Sequence, residues 1–261
     1  MQDLNLLQSQ DSSDEGAQAW AIPFADMMTL LLTLFILLLV ILKESEKFVD
    51  QQINLLLKET YEQLNKEIDN DNVSIERVTK GIQITLRGNL FQSMKANVNK
   101  NYIPIIQDIS KIIENCKLFK IEETEKYSAL VDFLEERNEE LNVEIRCEGH
   151  TDDAILPPQS DFRNNWELSS ARSLRVVNIM NDASSISEKY FSYNGYGEFR
   201  PLIDVSGIDD FQKKKQARAY NRRVEIYLDA FARPKTRSSE DEFLKMVNDK
   251  FKKEENLQNK D

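Results

Sequence analysis

Apolar and polar positions along this 261-residue chain fall into three periodicities, and each predicts a different element. From Trp20 to Leu42 the residues WAIPFADMMTLLLTLFILLLVIL form an apolar run of 23 with a single charge. At 1.5 Å per residue that length crosses a hydrocarbon core of about 30 Å, so a single transmembrane helix is expected. Pro23 falls in its first turn and Trp20 suits the membrane interface, which sets the expected start near Trp20. From Phe48 to Ile68 apolar residues return every three or four positions, at Val49, Ile53, Leu57, Tyr61, Leu64 and Ile68. This predicts an amphipathic linker helix, read as pairing with a twin copy to give a homodimer, the alternatives being a helix packed on its own domain or a segment that covers an ion pathway until release. The polar run Glu67 to Asn72 then reads as a turn.

Beyond the turn the period drops to two. Ile82, Ile84 and Leu86 alternate with polar residues, as do Val143, Ile145 and Cys147, and again Val224, Ile226 and Leu228. Three strands are expected there, with helices between them at Tyr102 to Cys116 and Trp166 to Asn181. The second helix carries Leu168, Ala171, Leu174 and Val177 along one face, and Glu122 to Leu141 adds a charged helical stretch. Strands interleaved with helices make the fold class α/β, an α/β sandwich. The expected division is an N-terminal segment 1–19, the span 20–42, a linker 43–81, a folded domain 82–231 and a charged tail 232–261, read as a peripheral helix or disorder.

Composition narrows the function. A hydrophobic share of 41% over this length supplies one ordinary core, while a net charge of -11 excludes a sequence-independent nucleic-acid binder, which needs a basic surface. One histidine and two cysteines are too few for a zinc cluster or a thiol-histidine nucleophile, which argues against a metal or thiol enzyme, and no cofactor is expected. Cys116 and Cys147 are read as buried, reduced residues, a disulfide being the alternative. No Lys or Arg precedes Lys43, and KESEK follows the apolar run, so the run is read as a retained span rather than a cleaved signal peptide.

Asp26 lies six residues inside the span, where insertion scales put the cost of a carboxylate at about 3 kcal/mol. An interfacial aspartate reaching headgroup water is one reading. The other is an ion carrier, because removal from water favours a carboxyl's neutral or cation-paired form and lets it load and release H⁺ or Na⁺. Thr29 and Thr33 share its side of the helix. One helix encloses no pathway, so partner helices are implied.

The densest polar constellation runs from Gly149 to Val177. A strand ends at His150, Thr151, Asp152 and Asp153, a Pro-containing loop follows, and the next helix presents Arg172. An acid at a strand end beside an arginine on the following helix can hold a zwitterionic, amino-acid-like ligand, or the two can simply pair with each other.

GHTDD, NNWELSSARS, GYGEFRP and ARAYNRRVEIYL, taken together, resemble the OmpA-like peptidoglycan-binding domain, and AWAIPFADMMTLLLTLF resembles the transmembrane signature of MotB-type stator subunits. The resemblance implies that Asp26 is the ion-binding carboxylate and that Asp152 and Arg172 form a diaminopimelate clamp. Thr151, Asn165, Leu168, Ser169, Asn221 and Arg222 fall in the same blocks. It also implies a cytoplasmic N-terminus and a periplasmic domain, against the charge bias of Asp3, Asp11, Asp14 and Glu15 before the span. A ring of a MotA-like polytopic partner would surround two copies in the bacterial inner membrane.

Flagellar members of that family have basic N-termini and long linkers. Here the N-terminus is acidic and the linker reaches at most about 95 Å if part helical and part extended. These departures are closer to the MotB-like subunit of the Zorya anti-phage defence systems, with the flagellar stator as the alternative. A passive membrane-to-wall anchor is a third reading, and it predicts that Asp26→Asn is silent. A wall-modifying enzyme is a further class, but no nucleophile and base pair is evident, so no enzyme is expected.

Overall fold

The computed structural model describes residues 3–79, 81–92 and 94–235. The chain divides into two compact units, Met1–Gln51 and Gln52–Asp261. The tail expected after residue 235 lies outside the described residues.

Helix α1 runs Asp3–Glu67 and carries the apolar run, whose side chains from Trp20 to Leu42 are all exposed in the isolated chain. It is long and apolar enough to cross a membrane. The helix is already formed ahead of Trp20, so Pro23 sits inside it rather than in a first turn.

In the second unit, strands β1 (Val73–Val78), β2 (Gly81–Leu86), β3 (Glu139–His150), β4 (Phe191–Gly195) and β5 (Arg223–Pro234) form one sheet in the order β1-β2-β5-β3-β4. Every pairing is antiparallel except that of β3 with β4. The expected alternation holds, because Ile82, Ile84, Leu86, Val143, Ile145, Cys147, Val224, Ile226 and Leu228 are all buried. Helices α2 (Ile103–Asn115), α3 (Ser128–Glu136), α4 (Asn165–Ala183) and α5 (Phe211–Asn221) complete the mixed α/β architecture.

Four expectations need correcting. The strand β1 falls in residues read as linker, and β5 continues past 231 to Pro234. The stretch Glu122 to Leu141 is helical over Ser128–Glu136 only and has entered β3 by Glu139. The end of α1 does not keep its stripe for a twin copy: Ile53, Leu56, Leu57, Thr60 and Leu64 are buried within this unit. Glu59 fixes that segment by pairing with Lys117 at 2.8 Å and with Lys126, and these ammonium partners hold its carboxyl down at about 2 against the opposing effect of burial. The inward face of α4 is also rotated from the expected one, since Leu174 is exposed while Ser169, Arg172, Ser173 and Val176 are buried. Cys116 and Cys147 are buried and free, and burial pushes the Cys147 thiol up to about 12.

The rotation has a steric cause. A Cβ on Gly149 of β3 would meet the Ser169 carbonyl oxygen at 2.1 Å, and one on Gly195 of β4 would meet the Ser170 amide nitrogen at 2.4 Å. Gly149 and Gly195 are register partners on adjacent strands, so together they open a shallow seat in the sheet for one turn of α4. The serines fill it without orphaned hydroxyls, because Ser169 Oγ donates to Trp166 O at 2.9 Å and Ser173 Oγ to Ser169 O at 3.2 Å. Asn164 caps the same helix, its side chain accepting from Glu167 N at 3.0 Å. Ser110 of α2 donates to the Met180 carbonyl at 2.7 Å near the other end. Gly149→Ala must lift α4 off the sheet and is expected to cost about 2–3 kcal/mol, read as a lower midpoint in chemical denaturation of the solubilised chain.

Candidate functional site

Beyond the carboxyl end of β3, the chain turns across the N-terminus of α4 and meets the loop that follows β2. Between them lies a pocket of about 260 Å³ lined by Thr151, Asp152, Asn165, Leu168, Arg172 and Arg222, with Gly88, Asn89, Phe91 and Met94 from the β2 loop. Six of the eight residues singled out for ligand binding therefore converge on one cavity.

Arg172 is held in the wall of this pocket. It is 4% exposed, donates from Nε to the Lys95 carbonyl at 3.1 Å, and sets its guanidinium 4.9 Å from the centre of the Phe91 ring. Burial pulls its pKa down to about 10, Asp152 opposes that fall and Arg222 adds to it. Asp152 makes its direct ion pair with Arg222, Oδ2 to Nη1 at 2.6 Å, while its Oδ1 accepts from Ala154 N at 3.3 Å. Two guanidiniums against one carboxylate leave the lining with an excess positive charge. That arrangement suits a ligand bringing an ammonium to Asp152 and at least one carboxylate to the arginines.

The other residues divide by role. Thr151 is buried, its amide donates to Gly197 O at 2.9 Å, and its hydroxyl has no partner. Asn165 holds the loop, donating to Ala154 O at 3.1 Å, and Leu168 supplies an apolar wall. Ser169 and Asn221 do not line the pocket. Ser169 Oγ accepts from Gly197 N at 2.9 Å, securing the Gly195–Pro201 region, and Asn221 Oδ1 accepts from Leu202 N and Ile203 N, each at 2.9 Å, securing the residues that follow it. Phe91, Asn89 and Met94 were not anticipated. An aromatic directly after a glycine-broken strand in GNLFQ is the one sequence signal for that side of the site.

Behind the pocket, on the sheet face away from α4, Glu148, His150 and Glu225 place one ligand-type atom each within 4.8 Å of one another, all buried. Their charges are answered from within the chain: Arg146 donates to Glu148, and Arg223 and Tyr227 to Glu225. His150 stacks on Tyr196 at 5.5 Å, both its nitrogens lack hydrogen bonds, and burial with nearby Arg223 lowers it to about 4.

In the membrane segment, Thr29 Oγ1 donates to the Asp26 carbonyl and Thr33 Oγ1 to the Leu30 carbonyl, each at 2.8 Å. Both hydroxyls therefore serve their own helix in the isolated chain, and Asp26 is exposed on its surface.

The family model described as membrane MotB of the proton-channel complex MotA/MotB matches residues 8–57, and that of the OmpA family matches residues 90–215. These two matches support a MotB-type protein with an OmpA-like domain. Motility protein B of Bacillus subtilis is 26% identical over 58% of this chain, which spans about half, 46%, of that relative. Protein YtxE of the same organism is 24% identical over 83% of this chain and 90% of its own length. A MotB-like protein from Desulfovibrio vulgaris shares the fold at 19% identity, with a TM-score of 0.50 over 72% of this chain and 99% of that one. The OmpA match includes Asp152 and Arg172 and stops before Asn221 and Arg222.

His150 gives a pH test of the site's foundation. Its folded pKa near 4 lies below the unfolded value of about 6.5, so between those values the unfolded chain binds the extra proton and stability falls as pH drops. His150→Phe is expected to hold stability near the parent's at pH 7 and to flatten that loss between pH 6.5 and 4, measured by denaturant midpoints across the range.

Proposed function

We propose that this chain is the wall-anchored subunit of an ion-driven motor in the bacterial inner membrane, with the N-terminus cytoplasmic and the OmpA-like domain periplasmic. In this reading Asp26 carries H⁺ or Na⁺ inside a ring of MotA-like subunits around two copies of the chain. The observation that carries it is the combination, in one polypeptide, of a MotB-type span bearing a lone carboxylate and a pocket built of Asp152, Arg172 and Arg222. Each unit charge crossing the membrane releases about 2.3 kcal/mol per 100 mV, so work is drawn from the gradient and no catalytic group is needed. Thr29 and Thr33 would have to turn from their own backbone toward the ion.

The pocket holds the wall. The diaminopimelate side chain of a peptidoglycan stem carries an ammonium and a carboxylate on one carbon, matching Asp152 and the two guanidiniums. Asp152→Ala or Arg172→Ala is expected to lower co-sedimentation with sacculi at least tenfold while the denaturation midpoint stays measurable and cooperative. Full retention by both folded variants removes the clamp.

The motor belongs to a Zorya-type anti-phage system in our reading, on the acidic N-terminus and the short connection. Residues 43–51 alone separate the apolar run from the second compact unit. The homology to motility protein B in Bacillus subtilis and Helicobacter pylori keeps the flagellar stator as the second reading. Asp26→Asn is expected to abolish phage protection in the host of origin, leave swimming intact and preserve assembly with the partner ring. Lost swimming with unchanged phage plating assigns the flagellar system, and a silent Asp26→Asn beside an active deletion phenotype assigns a passive anchor.

A further inference from the structure

The clamp takes a peptide, yet the first turn of α4 also presents a surface the clamp does not use. Trp166 and Phe199 stack with ring centroids 5.2 Å apart and planes 26° from parallel, and they are 47% and 61% exposed. Trp166 follows the pocket residue Asn165 directly. Phe199 belongs to the Gly195–Pro201 loop, which is held at three points, one of them on the pocket residue Thr151 and the others on α4 and β3: Thr151 N donates to Gly197 O, Gly197 N to Ser169 Oγ, and Tyr196 N to Gly149 O, each at 2.9 Å. Gly197 is left-handed, and a Cβ there would lie in ordinary contact with the backbone of Asn165 and Trp166, at 3.4 Å. The two rings are thus fixed by the same backbone that fixes the clamp.

A rigid, exposed aromatic pair beside a binding pocket marks a contact surface. Its dimensions choose the occupant. Two such rings bury at most about 500 Å², below the roughly 800 Å² that each partner contributes to a stable protein interface. The flanks are polar, with the Arg163 and Arg200 side chains 88% and 59% exposed. The ring surface that the stacking leaves open, rimmed by hydrogen-bonding groups, matches a pyranose ring, which offers C–H bonds on its face and hydroxyls around its edge.

We propose that Trp166 and Phe199 form a glycan platform that receives a sugar ring of the peptidoglycan strand while the adjoining pocket holds its stem peptide. The proposal rests on the wall-binding reading of the pocket and adds a second, sugar-specific subsite to it.

The test uses the full chain in detergent with Trp20→Phe as the parent, which leaves Trp166 as the single tryptophan. Three quantities are measured: retention on intact sacculi, affinity for a soluble diaminopimelate-containing stem peptide, and the change in Trp166 fluorescence on titrating an N-acetylglucosamine tetramer. Trp166→Ala and Phe199→Ala are expected to weaken sacculus binding about tenfold, to leave stem-peptide affinity within twofold, and Trp166→Tyr to recover most of the loss. Unchanged sacculus binding in Trp166→Ala, or no response to the tetramer, overturns the platform, while loss of stem peptide in Asp152→Ala leaves the clamp standing. Equal losses on sacculi and peptide in Trp166→Ala make the ring a support for the clamp and also overturn it. Should Asp152→Ala keep its peptide affinity, the clamp falls and the tetramer titration alone decides the platform.

Discussion

The site depends on how closely one helix approaches one sheet. Where Gly149 and Gly195 stand side by side, α4 lies with its backbone almost on the strands, and any side chain at either position would hold it away. That approach brings Arg172, one turn further along, under the β2 loop, where Phe91 and the Lys95 carbonyl receive it. The same contact ties the Gly195–Pro201 loop to Thr151 through Gly197. Pocket, loop and helix N-terminus are therefore consequences of one small-on-small seam, and the serines of the SSARS block belong to that seam rather than to a ligand.

This explains what the sequence could and could not reveal. The three central strands were legible because each alternates and turns its apolar positions to the covered face. The outer strands were not: β4 buries none of its five residues fully, and β1 follows a polar turn with residues that are at most partly buried. Helix α5 was hidden for another reason. It buries Ala217 and Asn221 while its aromatics Phe211 and Tyr220 stay exposed, so it has no apolar stripe for periodicity to find. The apolar stripe at the end of α1 was legible as a stripe but not as to its partner, because self-association and packing on the chain's own core ask for the same spacing. Asn54 to Arg77 and Glu59 to Lys117, contacts separated by 23 and 58 residues, decide it, and no local pattern encodes them.

The candidate site shows the same division. Asp152, Arg172, Thr151, Asn165 and Leu168 sit on the strand end and helix turn that the motif blocks define. Arg222 was grouped with them by its block, but its direct ion pair with Asp152 is a tertiary fact. The simplest expectation, that Asp152 and Arg172 neutralise each other, gives way to an arrangement in which Asp152 binds Arg222 and Arg172 is left to a carbonyl and a ring.

The energetic state of Arg172 follows from that arrangement. Removing a guanidinium from water is costly, and one carbonyl bond, one ring face and a carboxylate shared with Arg222 compensate it only in part, which its lowered pKa records. A carboxylate arriving in the pocket therefore meets a donor whose dehydration was completed on folding and whose orientation Phe91 and Lys95 already hold. The binding step does not have to meet those costs again. Folding has set aside part of the stability of this domain in holding Arg172 out of water, and the Gly149–Gly195 seam is what keeps it there.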